Sequence, residues 1–188
     1  MLFGSGKEIS AFTDEQLMKQ MSRGNQLAFE CIYDRYFQKL VRFALGYVKQ
    51  QEQARDIAQD IFLKLIERPE MFDPKQKFST WIYAVTANRC KQHLRDSNNR
   101  LRILRETGND QTNQEFSDDI NADKAAVSQK IEEIYSSLST KEKSIYTLRF
   151  KEEKSIKEIS QIIGIPEGSV KSGIYYLLKK FNYHLKEY

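Results

Sequence analysis

Residues 155–181, SIKEISQIIGIPEGSVKSGIYYLLKKF, restrict the fold more than any other part of the chain. Ser155 and Glu158 have the S-x-x-E spacing in which each side chain satisfies the other's backbone N–H, so a helix starts there. Ile156, Ile159 and Ile163 then recur on one helical face. Gly164 accepts the left-handed backbone that ends a helix, and Pro166 suits the next first turn, where an N–H is not needed. Glu167 suits the positive end of that second helix. Val170, Ile174, Leu177, Leu178 and Phe181 make its apolar face; Ser169, Lys171, Ser172, Tyr175 and Lys179, donors and cations, make the other. The pattern predicts a helix-turn-helix whose second helix enters the major groove of DNA. A helical hairpin packed onto something else is the plainer alternative.

The rest of the chain also reads as helix. Three prolines and eight glycines in 188 residues leave few breaks, so the expected class is all-α, in one or two small domains. At 40% hydrophobic and 30% charged residues the chain is globular rather than disordered. A net charge of +4 does not by itself demand nucleic acid, so the distribution of charge has to decide. Cys31 and Cys90 lie apart in helical patterns and His93 and His184 are isolated, which predicts reduced thiols and no metal site or other cofactor. The first ten residues lack the apolar core of a signal peptide, and no apolar run reaches a membrane-spanning length of about 18. The expected location is cytoplasmic, without direct membrane insertion.

Taken in order, Thr13 and Gln16 cap a first helix that ends near Gly24. Phe29, Ile32, Tyr33, Tyr36, Leu40, Phe43, Ala44 and Tyr47 form the core stripe of a long second helix. In a third, from about Glu52 to Glu67, Ile57, Ile61, Leu65 and Ile66 supply the stripe, Asp56, Gln59 and Asp60 lie on or near one polar face, and Phe62 and Leu63 leave apolar surface to spare. That face is either solvated or a docking surface. Asp56 and Asp60 stand four apart like metal ligands, yet no third ligand accompanies them. After the Pro69 and Pro74 break, Ser79 or Thr80 can cap a fourth helix. Arg89, Lys91, Arg95, Arg100, Arg102 and Arg105 follow in it with only Asp96 opposing, near Phe78, Trp81 and Tyr83. Cations beside aromatics suit a surface that holds phosphates and receives unstacked bases; taken alone, a solvated basic helix over buried aromatics fits slightly better. Residues 106–123 carry six acids and no base and read as a flexible acidic linker. The expected division is a domain over 10–98, a linker over 99–126 and a second domain over 127–188 that closes with the helix-turn-helix. In the second domain Ser139 and Glu142 form a further capping box.

Four stretches, in order, resemble the sigma-70 family of bacterial transcription initiation factors, specifically its extracytoplasmic-function (ECF) group. AFECIYDRY at 28–36 is similar to the start of the family's second conserved region. ARDIAQDIFLKLIE at 54–67 resembles the segment that binds the clamp helices of the polymerase large subunit, with Asp56, Gln59, Asp60 and Phe62 at the positions D-x-x-Q-[ED]-x-F. KFSTWIYAVTANRCKQHLR at 77–95 resembles the segment that melts and reads the −10 promoter element, Trp81 and Asn88 matching its W-[LI]-Y-x-[IV]-x-x-N pattern. IGIPEGSVKSGIYYLLKKF at 163–181 resembles the −35 reader.

The resemblance implies a non-enzymatic factor that binds RNA polymerase core through its clamp helices and flap, directs it to promoter DNA and opens the duplex. It implies polymerase contacts at Asp56, Gln59, Asp60 and Phe62. It implies −10 contacts at Phe78, Trp81, Tyr83, Asn88, Arg89, Lys91, Gln92 and Arg95, and −35 contacts at Glu167, Ser169, Lys171, Ser172, Tyr175 and Lys179. An anti-sigma factor is an expected partner. Two positions depart from the pattern: Gln92 where the family often has Asp, and Gly173 where it usually has a base. The second reads as the loss of a cation from the groove face. The competing expectation is a stand-alone helix-turn-helix regulator, which leaves 54–67 and 81–88 unexplained. A metal nuclease using Asp56 and Asp60 would need a third ligand.

Overall fold

The computed structural model describes residues 9–106 and 126–185, and among these there is no strand. Four helices make a first lobe: α1 (Asp14–Met21), α2 (Gln26–Val48), α3 (Gln51–Glu67) and α4 (Phe78–Glu106). Four make a second: α5 (Ala126–Ser136), α6 (Thr140–Tyr146), α7 (Ile156–Ile163) and α8 (Glu167–Leu185).

The helix starts follow local chemistry. Thr13 with Gln16, Ser139 with Glu142 and Ser155 with Glu158 all form the reciprocal capping box. Asn25 caps α2 by accepting from Leu27 and Ala28. Gly164 ends α7 in the left-handed region at φ 71°. The start of α4 differs from expectation. It begins at Phe78, so Ser79 and Thr80 lie inside its first turn, and the Phe78 N–H donates to Glu15 Oε1 of α1 at 2.9 Å. A carboxylate from another helix caps it, which frees both hydroxyls for other partners. At its far end α4 continues through 99–106, because nothing in NRLRILRE stops a helix. The acidic stretch beyond Glu106 lies outside the described residues.

The core of the first lobe is aromatic. Phe29, Tyr33, Phe37 and Phe62 pack α2 against α3, with Tyr33 and Phe37 stacked at 4.6 Å. Phe72, Phe78 and Trp81 join the proline break to α4, and Phe43 meets Tyr83 edge-on at 5.2 Å. Offset and edge-on pairs of this kind add about 0.5–1.5 kcal/mol beyond the area they bury. Asp14 ties α1 to α2 by accepting from Arg35 at 2.6 Å and from the Tyr36 hydroxyl. Cys31 and Cys90 are free thiols, and burial pushes Cys90 up to about 12.

In the second lobe α6 runs into a wide helical turn, Thr147–Lys151, in which Leu148 is buried. The extra residue per turn leaves Phe150 41% exposed and brings Lys154 into the interior. On α8, Leu178 is 53% exposed, against expectation; it lies seven residues from Lys171 and shares its outer face. Gly173 does not face the groove side. A Cβ there would stand 2.6 Å from Ile145 Cδ1, so this position is turned towards α6 and its side chain is absent for close packing.

The lobes touch. Helix α7 lies along α4, and α6 meets α2, where a Cβ on Gly46 would be 3.5 Å from Lys143 Cβ.

Gly173→Ala should therefore overpack, costing about 1–3 kcal/mol, against a gain of about 1 kcal/mol in helix propensity. Ile145→Val, which removes Cδ1, should cost about 1 kcal/mol less in that background than in the native chain. Urea titration of the four proteins measures this coupling, and equal costs in both backgrounds would mean that the two residues do not press on one another.

Candidate nucleic-acid interface

Helix α3 buries Ala54, Ile57, Ala58, Ile61, Phe62 and Leu65. Asp56, Gln59, Leu63 and Ile66, spaced three or four apart, share the opposite face. Asp56 and Gln59 are exposed, and Asp60 is half-exposed beside them. Phe62 is 2% exposed, so it reaches no partner; it fixes α3 on α2 instead. The surface apolar residues are Leu63, 58% exposed, and Ile66, 50% exposed. The three-and-four spacing from Asp56 to Ile66 carried that information, since Phe62 falls in step with Ala58 and Leu65.

Asp60 Oδ2 accepts from Arg89 Nη2 at 2.8 Å, which joins the acidic face of α3 to the basic helix α4. A shallow recess of about 390 Å³ opens here, lined by Asp56, Gln59, Asp60, Leu63, Arg89 and His93, among others. His93 Nε2 lies 3.3 Å from Gln53 Oε1. Both Asp60 and Arg89 keep contact with solvent, so the pair contributes about 0–1 kcal/mol and can be exchanged for outside partners.

Helix α4 presents three sides. Phe78, Ile82, Tyr83, Thr86, Ala87 and Cys90 face the core. Phe78 and Tyr83 were expected to meet DNA, and both are fully buried, so this expectation is corrected: they hold the helix rather than offer it. Trp81, Val85, Asn88, Gln92 and Arg95 recur at three- and four-residue steps along an open side, and Arg102 follows seven residues on. From Trp81 to Arg102 this stripe is about 31 Å long and passes from a half-exposed indole through amides to guanidinium groups. The third side, with Thr80 and Lys91, faces α7. Lys91 therefore leaves the group it was expected to join, since its Nζ donates to the Ile163 carbonyl at 2.7 Å.

On α8, Glu167, Lys171, Ser172, Tyr175 and Lys179 occupy one exposed face, and Ser169 sits half-buried at its edge. The Ser172 hydroxyl donates to Gly168 O at 3.0 Å. Tyr175 is 63% exposed. The sequence pattern left Tyr176 and Tyr183 unassigned, and both stand in solvent on the same helix. A helix that offers a carboxylate, two ammonium groups and two hydroxyls to one side can grip phosphates and read base edges. Among the described residues, no group of His, Cys, Asp and Glu could hold a metal ion.

Residues 32–100 match the family model of Sigma-70 region 2, and residues 128–180 match that of Sigma-70, region 4. The ECF RNA polymerase sigma factor SigW of Bacillus subtilis (strain 168) is 29% identical over 166 residues, which cover 84% of this chain and 89% of that protein. Two solved structures share the fold. RpoE from Bartonella quintana, in complex with the anti-sigma factor NepR, has a TM-score of 0.65 at 17% identity, over 84% of this chain and 96% of that one. CnrH, in complex with the cytosolic domain of CnrY, has a TM-score of 0.62 at 20% identity, over 93% of this chain and 97% of that one.

Phe62→Ala should destabilise the first lobe by about 3–5 kcal/mol, the cost of emptying a buried aromatic site. Leu63→Ala should change stability by less than about 0.5 kcal/mol. Denaturant midpoints separate the two, and similar effects would contradict the inward placement of Phe62.

Proposed function

We infer the working parts of this molecule from its membership: the chain belongs to the extracytoplasmic-function group of the sigma-70 family. It is a promoter-specific transcription initiation factor. The observation that carries the reading is that two sigma regions, matched in order, present three separate polar faces on α3, α4 and α8. An initiator has three physical tasks: to hold polymerase, to keep a strand open and to read a duplex.

Asp56, Gln59 and Asp60 dock on the clamp helices of polymerase core, and Leu63 and Ile66 add the apolar contact first assigned to Phe62. Carboxylates meeting cations make this binding salt-sensitive. When a polymerase cation takes Asp60, Arg89 is released to a DNA phosphate. The α4 stripe holds the −10 strand. Asn88 reads a base edge with its amide, Trp81 offers a stacking surface, and Gln92, Arg95 and, once free, Lys91 hold the strand. These contacts offset an unstacking cost of a few kcal/mol, and no side chain has to make or break a covalent bond. Helix α8 lies in the −35 major groove. There Glu167 accepts from cytosine, Lys171 donates to guanine, Ser169, Ser172 and Tyr175 adapt, and Lys179 meets phosphate. The working units are 10–98 and 127–188, with 99–126 between them, the start of which is helical. An anti-sigma factor is a fitting partner, since the related fold of RpoE is seen with one. Among the described residues no helix is long and apolar enough to cross a membrane, which agrees with action beside polymerase in the cytoplasm.

Transcription in vitro tests the reading. Purified protein with sigma-free core and genomic promoter fragments should yield new transcripts that depend on the protein. Neither transcripts nor co-elution with core would move the weight to a stand-alone DNA-binding regulator. Asp60→Arg should abolish co-elution with core. Asn88→Ala should keep co-elution and lose permanganate reactivity at the −10 element, and unchanged reactivity would remove the role given to Asn88. Lys171→Ala should relax preference at one base pair by about 1–3 kcal/mol, whereas Lys179→Ala should weaken all sites alike and reduce the salt slope by about 1. A footprinting titration distinguishes these two, and the reverse assignment would overturn the roles.

A further inference from the structure

The outer side of α8 carries more ring than charge. Tyr175 and Tyr176 are each 63% exposed, and their rings meet edge-on at 5.5 Å. The helix turns by about 100° per residue. Gly168, Ser172 and Lys179 therefore lie along the line that points directly away from the buried Val170 and Leu177, and the two tyrosines fall on either side of it. Lys171 flanks the same surface, exposed like Lys179. The Ser172 hydroxyl is turned back onto the Gly168 carbonyl at 3.0 Å. Between the two lysines the face thus offers an incoming ligand chiefly aromatic carbon.

Gly168 shares that line, and packing does not account for it. Its φ lies outside the left-handed region, and a Cβ added there would meet nothing within 4 Å. Glycine loses more freedom on folding than any other residue, so one that the fold does not require fits a place where an outside body comes close to the backbone.

Of the four bases, thymine alone presents an apolar group in the major groove, its 5-methyl. The other base edges there are donors and acceptors, which aromatic carbon would cover without pairing, at a cost. Tyr175 stands four residues beyond Lys171, about 6 Å along the helix or about two base steps.

We propose that α8 reads thymine through its methyl group. The paired rings of Tyr175 and Tyr176 close over the 5-methyl of one or two thymines in the −35 element, about two base pairs from the base that Lys171 reads. Gly168 lets the first turn of α8 sit deep enough in the groove for the rings to arrive. This role rests on the −35 reading given above and deepens it. It gives Tyr175 a definite base, and it brings in Tyr176 and Gly168, which had no task.

The test uses the full chain with sigma-free core, titrated on a promoter duplex in which each thymine of the −35 element is replaced in turn by uracil. Uracil keeps the pairing edge and lacks only the methyl. At one or two positions the exchange should weaken binding about three- to five-fold for each methyl lost. A protein carrying both Tyr175→Ala and Tyr176→Ala should bind the thymine duplex as weakly as the native chain binds the uracil one, and should lose nothing more on uracil. Tyr176→Phe keeps the ring and should keep the methyl effect. Gly168→Ala should hold or raise the urea midpoint while weakening binding to thymine and uracil duplexes alike. Native binding that is indifferent to uracil at every position, or a methyl effect of the same size in the double variant, would overturn the assignment. If core and protein give no transcripts, the titration is run on duplex fragments that the chain retains by itself. Methyl dependence there upholds the ring contact while the initiation reading falls, and retention of no duplex at all overturns both.

Discussion

Helix α4 has to satisfy three neighbours at once, and the rest of the structure follows from how its 29 residues are divided among them. One side is apolar and locks into the aromatic core through Phe78, Ile82 and Tyr83. A second lies under α7 and ends in polar groups that match the two poles of that helix. The third carries Trp81, at the rim of a recess shared with α3, and the exposed Asn88, Gln92 and Arg95. A helix with 3.6 residues per turn can serve three sides only when its positions are strictly sorted. Glu15 belongs to this division too, since it caps the first turn of α4.

Three of the charged groups around α4 are already partnered. Arg89 rests on Asp60, Lys91 on a carbonyl and Lys77 on Glu158. Such partly exposed contacts are weak and screened by salt, so stronger external partners can replace them one for one. Polymerase and DNA then act by exchange at these contacts. The aromatic contacts lie within the lobes and keep their shape through the exchange.

Much of this was legible in the sequence. The capping boxes at Thr13, Ser139 and Ser155 and the glycine at 164 marked helix ends by chemistry confined to three or four residues, and they stand where the pattern placed them. The face of α8 was legible for the same reason, apart from Leu178. What misled was any signal that needed a distant partner. Ser79 and Thr80 look like caps, but Glu15 from another helix takes that task and their hydroxyls serve the second lobe. Gly173 looks like a missing cation until Ile145 is seen beside it. Phe62, Phe78 and Tyr83 sit within motifs of contact residues, and a motif does not say which members face inward. The wide turn at Thr147–Lys151 and the burial of Lys154 left no local mark, because both are set by how the lobes meet.

The central claim is that one chain carries two separate readers, the stripe on α4 and the outer face of α8. The most direct measurement places a photo-cross-linking amino acid at Gln92 and, in a second protein, at Tyr175, each assembled with core on the same promoter fragment. The account predicts that Gln92 cross-links to a single strand in the −10 element and Tyr175 to duplex in the −35 element, about 25 base pairs, or 85 Å, away. Cross-links from both positions to the same element, or from Gln92 only to closed duplex, would contradict it.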